Sequence, residues 1–146
     1  MIKIVESKID EYIEDPQPIT QYPSIKLPDY VYHGTTFDRL DQMAETGVLG
    51  KSGEGVYDGV HNEDGFFFDT DPDESVEYAM RGGEVSSDEV VVLEIPTIAL
   101  NLDQVFLDYN NDEAVDFIEG DSDNPGPAFF YRGVLNDIQS IASIVD

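Results

Sequence analysis

Apolar and polar positions alternate along this chain in blocks of different period. Over residues 2–14, Ile2, Val5, Ile9, Tyr12 and Ile13 recur at helical spacing and predict a short amphipathic helix. Pro16, Pro18, Pro23 and Pro28 then exclude regular helix and central strand across 15–29. Residues 1–28 therefore read as an N-terminal helix and a Pro-rich arm, and 29–146 as the domain proper. Tyr30-Val31-Tyr32 is a strand that runs into His33-Gly34-Thr35-Thr36. From Thr36 to Gly47 the pattern is helical. Thr35 or Thr36 caps the start, Asp38 occupies the first turn, and Gly47 stops the helix. Phe37, Leu40, Met43 and Ala44 form its apolar stripe, with the Phe and Met expected in the core.

Residues 50–64 form a long polar loop with four glycines, Lys51 and His61. Loops of that length are uncommon in compact domains unless functional or disordered, so the loop reads as a mobile lid beside a pocket, with a plain surface loop as the alternative. The glycine spacing does not match a phosphate-binding loop. Phe66-Phe67-Phe68 predicts a short buried strand, and Asp71, Pro72 and Glu74 predict a capped helix start. That helix puts Ser75 and Tyr78 on one face and ends at Gly82-Gly83. Val90 to Ile95 is a strand stopped by Pro96. Thr97 to Asn110 has no clean period, Asp112 to Ile118 suits a helical turn, and Gly120 to Pro127 suits a loop. Phe129 to Leu135 and Ile138 to Val145 read as the last strands. The expected class is α+β.

Composition narrows the chemistry. A chain of 146 residues, 40% hydrophobic and 11% aromatic, is expected to fold as one globular domain. Without cysteine it has no disulfide, thiolate metal site or Cys nucleophile. Two histidines argue against a His-rich metal site, so no metal is expected. No apolar run of about 18 residues is present, and the N-terminus lacks the basic-then-apolar order of a signal peptide. No membrane partner and a cytoplasmic location are the expectation. Charge is the extreme feature: 32 acids against 7 Lys and Arg give a formal net charge of −25. Such a surface repels phosphate backbones, which argues against direct nucleic-acid binding. High-salt adaptation, attraction to a basic partner and imitation of nucleic acid each account for the acidity.

Two stretches carry candidate chemistry. His33 ends a strand, facing whatever occupies the gap beyond it, and Gly34 permits close approach of a ligand or another backbone. A satisfied surface histidine at a strand end is the plain alternative. About thirty residues later, Gly65-Phe66-Phe67-Phe68 leads into a helix bearing Ser75 and Tyr78. In this order and spacing, the stretches resemble the poly(ADP-ribose) polymerase-like (His-Tyr) branch of the ADP-ribosyltransferase superfamily. The resemblance covers about Tyr30 to Val145. It implies a split β-sheet core with short inserted helices and NAD as substrate.

The resemblance also implies roles. His33 would bond a ribose hydroxyl of NAD, and the backbone of Gly34 would pair with the nicotinamide carboxamide. Thr35 would line the same site. Tyr78 would stack on the nicotinamide ring, Phe67 would flank it, and the Ser75 hydroxyl would hold its amide. Together they would orient the glycosidic bond for cleavage through an oxocarbenium-like transition state. One departure stands out. The family's third motif supplies a glutamate on a late strand, and the matching stretch Phe129 to Leu135 has no acid. The position falls near Tyr131 or Arg132. Its loss argues against polymer elongation and leaves mono-ADP-ribosylation. Asp137, Asp123 and Glu119 are the nearby carboxylates that could substitute, and Arg132 could contact an NAD phosphate or pair with an acid.

The first expectation is thus a mono-ADP-ribosyltransferase acting on a protein, a basic one given the charge, as a phage or microbial effector in a host cytoplasm would. The second is a non-catalytic acidic binding module on the same fold. The third is an RNA 2′-phosphotransferase, a more distant look-alike, which needs a basic pocket that this charge balance opposes.

Overall fold

The computed structural model describes residues 17–22, 25–50, 64–80, 85–107 and 129–145. The expected helix at 2–14, the segment 51–63 with Lys51 and His61, and the Gly82-Gly83 stop lie outside the described residues. So do the turn at 112–118 and the loop at 120–127, with Glu119 and Asp123.

The longest ladder joins β1 (Tyr30–Thr36) to β4 (Val90–Pro96), antiparallel and in register from Tyr30 opposite Pro96 to Thr36 opposite Val90. β4 carries Val90-Val91-Val92 and Ile95, β-branched residues that pack well on a pleated surface. Its far edge takes the short β8 (Ser143–Ile144). A second sheet has the order β3 (Phe66–Phe68), β6 (Phe129–Tyr131), β5 (Val105–Leu107). A small pair, β2 (Val48–Leu49) with β7 (Leu135–Asn136), completes the strands among the described residues. The protein is a mixed α/β fold of small antiparallel sheets with few helices.

A backbone bridge joins the two three-stranded sheets. Tyr32 and Asp69 exchange both backbone hydrogen bonds, at 2.7 and 2.8 Å. That bridge brings the end of β3 beside the middle of β1, and so brings the two candidate stretches together. Val31, Ile95, Val105, Leu107 and Phe129 are fully buried at the centre of the core. Each such side chain contributes about 1.5–3 kcal/mol by burial. Ile19 and Ile25 belong to the same cluster, so the described part of the Pro-rich arm packs into the domain.

Helix α1 (Phe37–Thr46) starts where expected. The Thr36 hydroxyl accepts the Arg39 N–H at 3.4 Å, and Gly47 closes the helix in the left-handed region at φ 74°. Its stripe differs from expectation. Met43 is buried, but Phe37 is 52% exposed and Ala44 is exposed as well. At about 100° per residue, Phe37 lies roughly 240° round the helix from Met43, off the buried face. Helix α2 (Pro72–Met80) is capped by Asp71, whose Oδ1 accepts the Asp73 N–H at 2.9 Å. The expected reciprocal bond from Glu74 is replaced. The Asp71 N–H goes to Asp69 Oδ1 at 3.2 Å.

Two late strands are shorter than the pattern suggests. The expected strand over 129–135 breaks after Tyr131. There the Arg132 N–H donates to the Gln104 carbonyl, and Gly133 adopts a positive φ of 153°. The expected strand over 138–145 begins instead as a helical turn, α3 (Ile138–Ile141), started by Asp137 in the left-handed region. That turn buries Ile138 in the core, and β8 follows it.

Candidate functional site

The site is built on β1. Side chains alternate along it, so Val31, His33 and Thr35 face one side and Tyr32, Gly34 and Thr36 the other. His33 Nδ1 lies 2.5 Å from the Phe67 carbonyl oxygen. A carbonyl can only accept, so Nδ1 carries the proton and Nε2 of the neutral ring keeps its lone pair. The Phe66 ring packs against the imidazole edge-on, with centroids 5.4 Å apart and planes at 75°. Burial lowers the His33 pKa to about 4 against the support of the Phe67 carbonyl, and the Arg39 guanidinium adds to the lowering. His33 is therefore neutral at ordinary pH and offers an acceptor nitrogen.

Gly34 faces helix α2. A Cβ there would fall 2.2 Å from the Ser75 carbonyl oxygen and 2.9 Å from the Ala79 Cβ. The glycine thus admits the helix backbone, the close approach of another backbone that the sequence allowed for. Its backbone has a separate orientation. Tyr32 turns its N–H and C=O toward Asp69, so Gly34, two residues on, presents its own pair along the same edge of β1. Ser75 is 2% exposed, and its hydroxyl donates to the Tyr32 carbonyl at 3.0 Å. It ties α2 to β1 beside Gly34.

Of the other expected residues, Phe67 is half-buried, with its ring 5.0 Å from that of Phe130 and its carbonyl engaged by His33. Thr35 is 3% exposed, and its Oγ1 has no hydrogen-bond partner among the described residues. Tyr78 is on α2, three residues past Ser75, and its side chain lies outside the described residues. Arg132 stacks its guanidinium 4.5 Å above the Phe106 ring. Phe106 is on β5, which β6 separates from β3 and its contact with His33. Asp137 is exposed and starts α3.

Sequence reasoning passed over two residues. Arg39 is half-buried on the first turn of α1, and its charge adds to the lowering of the His33 pKa. Its place three positions beyond the N-cap Thr36 was the available signal. Asp69 is 6% exposed at the junction of the two sheets. It accepts the N–H groups of Thr70 and Asp71, yet burial raises its carboxyl to about 7, with Glu74 and Asp71 adding to the rise. Nothing in the spacing marked it, because its environment is made by Tyr32, distant in the chain.

Among the described residues, no group of three His, Cys, Asp or Glu side chains could hold a metal. No described helix is long and apolar enough to cross a membrane. The arrangement offers a hydroxyl a neutral imidazole acceptor with the Phe66 ring against it, and offers an amide the backbone donor and acceptor of Gly34. The chain matches no protein-family model, no curated protein and no solved structure.

Proposed function

We propose that this protein is an NAD-dependent mono-ADP-ribosyltransferase that modifies a basic protein. The observation that carries the reading is the pairing of His33 and Gly34 on one strand end. His33 is held neutral, with its acceptor nitrogen set by the Phe67 carbonyl, and Gly34 turns its backbone pair along the adjoining edge. A ribose hydroxyl donates to Nε2. The nicotinamide carboxamide pairs with Gly34, as a second strand would. Phe67 flanks the ring and Tyr78 stacks on it.

In the reaction, the bond between the ribose C1′ and the nicotinamide nitrogen breaks, and its electron pair leaves with nicotinamide. The oxocarbenium-like carbon is then attacked by a nucleophile of the acceptor, which loses its proton. The protein contributes orientation, worth several kcal/mol of barrier when reacting groups are fixed. Ser75 acts through position: its bond to the Tyr32 carbonyl fixes α2, and hence Tyr78, against β1. With no glutamate in the 129–135 stretch, transfer of a single unit is the expected outcome. A net charge of −25 favours a cationic acceptor and disfavours nucleic acid.

A second reading, an acidic binding module on the same fold, is favoured by the exposed acids Asp38, Asp41 and Glu45 on α1 and Asp73, Glu74 and Glu77 on α2. The two separate on nicotinamide release from NAD in the presence of basic protein. A transferase releases it in a His33-dependent way. A binding module captures the partner whether or not His33 is present, and releases nothing.

A further inference from the structure

Asp69 ties three parts of the fold together. Its backbone exchanges hydrogen bonds with Tyr32 and so bridges the two sheets. Its Oδ1 accepts the Thr70 N–H at 2.7 Å and the Asp71 N–H at 3.2 Å, the bonds that turn the chain from β3 into α2. Asp71 then caps α2 through the Asp73 N–H. One turn on, the Ser75 hydroxyl returns to the same Tyr32 carbonyl that accepts the Asp69 N–H. The seat of α2 on β1 therefore begins at the Asp69 side chain.

This junction is a poor place for a negative charge. The carboxyl is 6% exposed. Opposite Tyr32 in the bridge, it shares the face of β1 that packs on α2. From α2 and the turn before it come Glu74 and Asp71, with Asp73 exposed beyond them. On the same face β1 presents the phenols of Tyr30 and Tyr32, and β4 presents Glu94, to which the Tyr32 phenol donates at 3.3 Å. His33 is on the other face of β1, and β3 brings only phenylalanines. The described cations Lys26, Arg39 and Arg132 are not among the groups that act on Asp69. A buried carboxylate without a cation is costly, whereas a neutral carboxyl keeps both N–H bonds on Oδ1 and carries its proton on Oδ2.

We infer that Asp69 is a pH-operated latch that seats helix α2 on β1 when neutral and releases the start of the helix when ionised. On ionisation, Oδ2 gives its proton to solvent, the carboxylate leaves the turn for water, and Ser75 lifts from Tyr32. Burial, with Glu74 and Asp71 adding to it, raises the carboxyl to about 7, so the latch works across neutral pH. Because α2 carries Ser75 and Tyr78, a ligand held between it and Gly34 binds more tightly below that pH than above it. The latch goes beyond the transferase reading and does not depend on NAD.

The test is hydrogen exchange of the full chain without ligand, at about pH 5.5 and about pH 8.5, with rates corrected for intrinsic exchange. Wild type is compared with Asp69→Asn, which keeps the acceptor oxygen and cannot ionise. In wild type, protection of the α2 amides is expected to fall about tenfold or more across this interval, the scale of a carboxyl that titrates near 7 instead of near 4, reduced by solvent screening. The β4 amides, which open with the whole fold, are expected to change less, because there the His33 and Asp69 contributions oppose each other. In Asp69→Asn the fall in α2 is absent. A carboxyl NMR titration of wild type needs no variant and is expected to give Asp69 a midpoint of about 7. The inference is overturned by a midpoint near the ordinary carboxyl value of about 4. It is overturned equally by α2 protection that does not fall in wild type, that falls in parallel with β4, or that falls as much in Asp69→Asn.

Discussion

Replacing Gly34 by alanine separates its two roles, which occupy different directions in space. The new Cβ falls 2.2 Å from the Ser75 carbonyl oxygen and 2.9 Å from the Ala79 Cβ. The nearer atom is helix backbone and cannot swing aside. Restoring ordinary contact requires α2 to move off β1 by about 1 Å. Overpacking of this kind costs about 1–3 kcal/mol. The same movement stretches the Ser75 to Tyr32 bond, now 3.0 Å, which adds about 1 kcal/mol. A total near 3 kcal/mol lowers the melting temperature of a domain this size by about 10 °C. Circular dichroism melts of wild type and Gly34→Ala measure it, with NAD titrations at a temperature where both are folded. The expected result is a lower melting temperature together with weaker NAD binding, because the displaced helix carries Ser75 and Tyr78. An unchanged melting temperature would refute the packing argument.

Other predictions follow from the buried titratable groups and the helix tie. The folded-state pKa of Asp69 is raised to about 7, so its protonated form stabilises the fold at low pH and that contribution is lost as pH rises from about 4 through 7. Asparagine keeps the acceptor oxygen, and Asp69→Asn is expected to be more stable than wild type at pH 8 by roughly 2 kcal/mol after allowance for solvent screening, read by denaturant titration. The folded-state pKa of His33 is lowered to about 4, so its contribution is present above about 6.5 and lost as pH falls toward 4. The two slopes oppose each other in wild type. Asp69→Asn therefore unmasks a stability that rises with pH over that interval, and adding His33→Gln removes the rise. Ser75→Ala leaves the Tyr32 carbonyl its bond from Asp69 and is expected to cost only about 1 kcal/mol, while NAD turnover falls more than stability does.

Local chemistry made much of this fold legible. Tyr-Val-Tyr, Val-Val-Val-Leu and Phe-Phe-Phe are strands because β-branched and aromatic side chains fit a pleated surface, and Thr36 and Gly47 bound α1 by capping. The pattern failed where distant partners decide. Residues 138–141 coil into a helical turn because Ile138 drops into the core, and Phe37 is solvent-facing because Met43 sets the buried face. At the site, the Tyr32–Asp69 bridge places Phe67 against His33 and Ser75 against Tyr32, contacts that residue spacing alone does not give. The glycine was marked for the approach of a ligand or another backbone, and only the folded chain shows that the backbone is that of α2. Arg132 was chosen for its position in a motif and stacks on Phe106, whereas Arg39 bears on His33 from a helix turn that carried no motif.

The central claim is tested most directly by nicotinamide release. Wild type, His33→Ala and Tyr78→Ala are incubated with labelled NAD and a basic acceptor protein, and both free nicotinamide and labelled protein are measured. The account predicts release and single-unit labelling by wild type, with a loss of at least about a hundredfold in His33→Ala and Tyr78→Ala. Equal release by wild type and His33→Ala, or no release by a wild type that still captures the basic protein, would contradict it.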